Sequence, residues 1–153
     1  MHWESSETLR LELPILKLTS EWITGFVDGE GCFHVGINPH KEMTARFQVL
    51  PEFTVVQHKR DVQLLEALKN FFQCGVVRTN HGDRLSYRVR SKDDLLKIII
   101  PFFNKYPLQS VKRLDFELFR KILLIMERGD HLSPNGIEEI RSISGKMNRG
   151  MLR

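Results

Sequence analysis

A chain of 153 residues has room for one domain with a proper core, and 41% hydrophobic against 27% charged residues excludes a disordered or fibrous chain. The formal charge of +4 is mild and by itself identifies no polyanionic partner, so the placement of the charges matters more than their sum. Cys32 and Cys74 form neither a zinc pattern nor a disulfide framework. No apolar run approaches the ~20 residues of a membrane span, and residues 1–12 lack the basic-then-apolar layout of a secretory signal. These features predict a soluble protein of a reducing compartment with no membrane partner, built as a short leader over 1–18 and one domain over 19–153.

Chain order begins with Thr19 or Ser20 as the cap of a helix whose first turn holds Glu21, a favourable place for a negative charge. The helix should run through residues 22–28 and stop near Gly29 and Gly31. The period then changes: Phe33, Val35 and Ile37 alternate with Cys32, His34, Gly36 and Asn38, as in a half-buried strand. Residues 39–42 read as a turn, and 46–57 as one or two strands with Pro51 marking a bend or edge. Residues 61–72 return to helical spacing, with Gly75 just past the end. Segments 76–78 and 85–90 flank 80–83 as a β-hairpin.

Ser91 to Asp94 resembles a capping box, with Asp where Glu or Gln is usual, ahead of a helix over 95–103. A long amphipathic helix follows over 111–127. Ser133-Pro134 starts the last helix, striped by Ile137, Ile140, Ile143 and Met147. The order αββαββααα predicts an α+β domain with antiparallel strands and helices on one face.

Such a sheet leaves its other face free. The residues predicted there are His34, Asn38, Arg78, Asn80, Ser86, Arg88 and Arg90. Between residues 76 and 92 stand five basic residues, Arg78, Arg84, Arg88, Arg90 and Lys92, against the single acid Asp83. A basic two-stranded ribbon can enter a DNA major groove. The same pattern also fits a solvated face that does no more than keep the protein soluble.

Residues 23–31, ITGFVDGEG, are the unusual segment. Gly25 and Gly29 share one helix face, and each costs a helix roughly 1 kcal/mol relative to Ala. A second copy of the helix packed on that face would offset the cost. Glu30 sits where the macrodipole is already negative, and two such carboxylates beside free carbonyls would suit a hard divalent cation such as Mg²⁺. The alternative is a glycine-rich turn carrying a solvated acid.

The segment resembles the signature of the LAGLIDADG homing endonucleases, and the CFHVGI that follows resembles their first DNA-reading strand. The likeness continues in order through FTVVQ at 53–57, GVVR at 75–78, PLQSVKR at 107–113 and the segment 132–150, covering about 19–150. It implies the LAGLIDADG αββαββα fold, with a curved four-stranded antiparallel sheet lying over DNA. One signature implies a homodimer on a long, roughly palindromic double-stranded site, and an activity that promotes mobility of the host intron from within an organelle matrix.

By motif match, the resemblance makes Glu30 the metal-binding acid and Gly29 the main-chain ligand, for Mg²⁺ with Mn²⁺ or Ca²⁺ as substitutes. Glu stands where the signature word has Asp, a common exchange in the family. Gln57 matches a polar residue that positions water. Lys112 matches the basic residue that stabilises the charged phosphate, with Ser110 and Arg113 as alternative occupants. Trp22, Gly25, Asp28 and Gly29 are expected at the dimer interface. The expected DNA contacts are Cys32, His34, Asn38, His40, Gln48, Thr54, Arg78, Asn80, Ser86, Arg88 and Arg90.

Metals beside the attacking and leaving oxygens suit the pentavalent transition state of phosphodiester hydrolysis. No Ser-His-Asp arrangement competes with this reading. His58 beside Gln57 is close enough in sequence to approach the active site, and Cys74 reads as core. Competing readings are an RNA-binding intron maturase or a transcription repressor of the same fold, and one half of a two-signature protein. Retention of Glu30 favours the nuclease.

Overall fold

The computed structural model describes residues 16–148, so the expected leader over 1–18 lies almost wholly outside the described residues. Helix α1 (Ser20–Glu30) is capped by Thr19, whose Oγ1 accepts the Trp22 N–H at 3.2 Å. It passes with no loop into strand β1 (Gly31–Pro39), and Gly31 makes that corner possible. A Cβ there would meet Val27 Cγ1 at 2.6 Å and the Val27 carbonyl at 3.1 Å.

Strand β2 spans Phe47–His58 as one element, so Pro51 does not break it. The reason is positional. Pro51 pairs with Val35 of β1 but lies beyond Phe53, where the pairing with the other neighbour ends, so its missing N–H costs no ladder bond on that side.

Helix α2 (Val62–Phe72) leads to the hairpin of β3 (Val76–His81) and β4 (Arg84–Val89). Gly75 enters it at φ +86, with the Arg88 carbonyl 2.7 Å from where a Cβ would stand. The turn is shorter than the sequence suggests: only Gly82 and Asp83 lie outside the strands, and a register shift between Thr79 and His81 leaves Asn80 bulged.

Ser91 Oγ accepts the Asp94 N–H, half of the expected capping box. Helix α3 then runs from Lys92 to Lys105, with a π-helical stretch at Leu95–Ile99. Pro101 sits just after that stretch and has no N–H to return to the preceding turn. Helices α4 (Lys112–Glu127) and α5 (Pro134–Ser144) complete the order expected from the sequence. No helix among the described residues is long and apolar enough to cross a membrane.

The four strands form an antiparallel sheet in the order β1-β2-β4-β3. On its helix-covered face, Phe33 is fully buried against the rings of Phe53, Phe103, Phe116 and Phe119, at 5.2–5.7 Å between centroids. Each such pair contributes about 0.5–1.5 kcal/mol beyond the area it buries. This aromatic knot joins β1 to α3 and α4 and makes a rigid base for what lies at the end of α1.

Between α4 and α5, the half-buried His131 has its pKa lowered by burial and by Lys92, against a smaller opposing pull from Asp130. The folded protein therefore binds fewer protons than the unfolded chain as pH drops through the histidine range. Stability should fall on acidification from pH 7 to below 6, and His131→Gln should flatten that part of the curve in thermal melts.

Candidate active site and nucleic-acid interface

Three residues far apart in sequence meet at the C-terminus of α1. Glu30 ends the helix, exposed, and accepts the Gln57 Nε2 donor at 2.8 Å from the far end of β2. Lys112, the first residue of α4, sends Nζ to the Val27 carbonyl at 3.1 Å. That carbonyl belongs to the last turn of α1, so a lysine here offsets the negative helix end that makes Glu30 costly. The ammonium is half-buried. Desolvation lowers its pKa, and the acidic groups of Cys32, Asp28, Glu30 and Asp115 oppose that fall.

The two alternatives to Lys112 lie elsewhere. Ser110 is committed to Asp28, and Arg113 lines a recess with Phe103, Asn104, Pro107 and Leu108.

Asp28 turns inward rather than serving only the expected helix–helix interface. Its carboxylate accepts the N–H of Gln109 at 2.9 Å, the N–H of Ser110 at 3.0 Å and the Ser110 hydroxyl at 2.7 Å. Ser110 Oγ in turn accepts the Lys112 N–H at 3.2 Å. Partial burial pushes the Asp28 pKa up, but the Ser110 and Gln109 donors and the Lys112 charge outweigh it, leaving the group below the ordinary carboxylate value. Asp28 thus ties α1 to the start of α4.

The other face of α1 carries Trp22, Gly25 and Gly29, all exposed, with Trp22 stacked on Phe26 at 4.9 Å. A Cβ at Gly25 or Gly29 would meet nothing within 4 Å. Close packing inside the described chain therefore does not explain either glycine.

The strand register assembles the open face of the sheet. Cys32 stands opposite Thr54, His34 opposite Glu52 and Asn38 opposite Gln48. On the next strands, Arg88 lies between Thr54 and Val76, and Ser86 between Val56 and Arg78. Cys32, His34, Asn38, Arg78, Asn80 and Arg90 are exposed, while Gln48, Thr54 and Arg88 are half-buried.

Two predicted contacts sit differently from expectation. Ser86 is only 1% exposed, because it lies between flanking strands under longer neighbours. His40 is half-buried in the β1–β2 turn, where its N–H donates to the Arg46 carbonyl. Ser86 Oγ and Arg88 Nε are buried with no hydrogen-bond partner among the described residues.

Burial, then Arg90 and Arg78, lower the Arg88 pKa, and Glu52 alone opposes them. Glu52 was not among the sequence candidates, although its alternation with Leu50 and Thr54 places it on this face. It is the one carboxylate among the described strand residues there. His58 caps the short turn at Lys59–Asp61 through Nδ1 and does not join Glu30.

The architecture is an α+β fold with an open antiparallel sheet, helices on one face and an acid at the tip of a glycine-bearing helix. The sequence profile of the LAGLIDADG endonuclease family matches residues 23–123, and this chain belongs to that family. The crystal structure of the homing endonuclease I-TnaI superposes with a TM-score of 0.85 at 51% identity, covering 88% of this chain and 91% of that one. I-SmaMI bound to an uncleaved DNA target in the presence of calcium ions is 37% identical with a TM-score of 0.84, covering 86% of this chain and 45% of that one.

The uncharacterized 50.9 kDa protein in ND4 intron 1 of Podospora anserina is 36% identical over 123 residues, 78% of this chain. The chain spans only about a quarter of the length of the first curated relatives it matches.

Proposed function

We propose that the chain, as one domain over 19–153, is a sequence-specific endonuclease of double-stranded DNA. It acts as a homodimer with a divalent cation and promotes mobility of its intron in an organelle matrix. The observation that carries this reading is the Glu30–Gln57 pair beside the half-buried Lys112, at the edge of a sheet face that gathers Arg78, Arg88 and Arg90.

The donor set fits a hard cation. It offers oxygen ligands only, from the exposed Glu30 carboxylate and the Gly29 carbonyl at a helix end that has carbonyls to spare. Among the described residues no cluster of three His, Cys, Asp or Glu exists, so within one chain this reading gives the cation Glu30 and the Gly29 carbonyl, with water to complete its shell. A second copy, packed through Gly25 and Gly29, would bring a second Glu30. The length of I-SmaMI, of which this chain covers 45%, supports that pairing.

Mg²⁺ at this place would stabilise the attacking and leaving oxygens of phosphodiester hydrolysis, with Mn²⁺ or Ca²⁺ as substitutes in the site. The chain's own groups do the rest. Gln57 fixes the rotamer of Glu30 and keeps its amide oxygen to orient a water, and Lys112 presents a positive charge to the phosphate. The open sheet face provides affinity and register on the duplex.

The alternative, an RNA-binding maturase of the same fold, leaves the Glu30–Gln57 pair without a task. Selection of cleaved duplexes from a randomised DNA library in Mg²⁺ tests the proposal. Cleavage of a near-palindromic site that stops on chelation supports it, and binding of RNA with no cleavage of any duplex would replace it.

The dimer has its own test. Gly25→Leu puts a branched side chain into the helix–helix contact, and overpacking of about 1–3 kcal/mol weakens association roughly 5- to 150-fold. Sedimentation should show a mass near twice 17.9 kDa for the unmodified chain and a shift toward one copy for the variant. An unchanged dimer would remove the glycine face from the interface.

A further inference from the structure

The open face carries one anomaly for a surface that receives a polyanion, the carboxylate of Glu52. It stands on β2 directly opposite His34, and its Oε1 accepts the Arg90 Nε donor at 2.6 Å. The Glu52 side chain is 20% exposed and that of Arg90 is 60% exposed, so the acid lies low and the guanidinium stands above it. Both line a recess of about 350 Å³ with His34, Asn38 and Leu50.

A phosphate contact asks only for positive charge, and a neighbouring carboxylate weakens it. A base contact asks for orientation. Bonding Nε to Glu52 sets the plane of the guanidinium and leaves the edge formed by its two terminal nitrogens unused by that bond. Two parallel N–H donors on this edge match the paired O6 and N7 acceptors that guanine alone presents in the major groove.

We propose that Glu52 and Arg90 act as one reading unit, in which Glu52 fixes the fork of Arg90 so that it specifies guanine at one position of each half-site. This rests on the DNA-endonuclease reading given above and adds to it a base identity and a residue that touches no base. Glu52 is a positioning residue, and Arg90 makes the contact. Arg88 stands near both Arg90 and Arg78, and the bond from Arg90 to Glu52 agrees with this arrangement, because it gives Arg90 a fixed orientation.

The test is a binding selection of randomised duplexes in calcium-containing buffer, followed by single-base profiling of the selected site. The profiled proteins are the unmodified chain, Glu52→Gln, Glu52→Asp, Arg90→Ala and the Glu52→Gln/Arg90→Ala double variant, each checked for an unchanged thermal melt. The unmodified chain should prefer guanine at one position per half-site by roughly 5- to 150-fold. Each single variant should lose most of that preference at the same position and keep the rest of the profile. Glu52→Asp retains the charge but is one carbon too short to hold Nε, so it should behave like Glu52→Gln. The double variant should be no worse than Arg90→Ala.

Three results would overturn the proposal. Arg90→Ala weakening all sequences alike while Glu52→Gln strengthens them alike would make Arg90 a phosphate contact. Loss of a cytosine preference in Glu52→Gln alone would make Glu52 the reader. Failure of the unmodified chain to select any duplex would overturn the DNA reading itself, and this unit with it.

Discussion

Glu30→Gln should lower single-turnover cleavage in Mg²⁺ by about a thousandfold or more while DNA binding stays within a few-fold of the unmodified protein. The amide keeps the shape of the side chain and can still meet Gln57, so the local geometry at the end of α1 survives. It lacks the charge that a hard cation requires. A loss of several kcal/mol of transition-state stabilisation corresponds to that factor in rate.

Binding should hold if, as proposed, phosphate and base contacts spread over the sheet provide it, because removing a negative charge near the duplex does not weaken such contacts. Fold stability should hold as well, since the variant relieves an unfavourable charge at a helix C-terminus. Cleavage kinetics and a gel-shift titration in Ca²⁺ measure the two quantities separately. Cleavage at the original rate would remove Glu30 from the metal site.

Lys112→Met should cut kcat by about 10²–10³-fold with little change in KM. Methionine keeps an unbranched apolar stem of similar reach, so the half-buried packing beside α1 is largely retained and the charge is what is lost. A cation that acts only on the transition-state phosphate shows in kcat, whereas one that merely binds the duplex shows in KM.

Asp28→Asn provides the structural control. It keeps an acceptor for the Gln109 and Ser110 donors but loses the charge that strengthens them, so it should loosen the start of α4 and reduce kcat less than Lys112→Met does. An equal rise in KM with kcat unchanged for Lys112→Met would reassign Lys112 to ground-state binding.

Local patterns in the sequence made much of this fold legible. The switch from helical to alternating period at Gly31, the existence of the β3–β4 hairpin and the Ser91 cap all lie within a few residues of the features that specify them. Alternation likewise placed Tyr87 and Val89 against the helices and Arg78 and Arg88 on the open side. Where alternation misled, a third dimension was involved. Ser86 has the right parity for the open face but is flanked on both sides by strands, and its short side chain is overtopped. Asn80 is displaced from simple alternation by the bulge.

The sequence by itself determined the α+β class, the order of the elements, the glycine face of α1 and the acid at its end, because each depends on neighbours within a turn or a strand. Only the tertiary structure decided how the site is joined. Glu30 meets Gln57 across 27 positions, Asp28 reaches Ser110 across 82, and Lys112 returns to Val27 across 85. It also put Lys112 against the end of α1, Ser110 on Asp28 and Arg113 in a separate recess, and it paired Glu52 with Arg90. These contacts depend on how α4 and the sheet pack around Phe33, and packing is a property of the whole chain that no local period encodes.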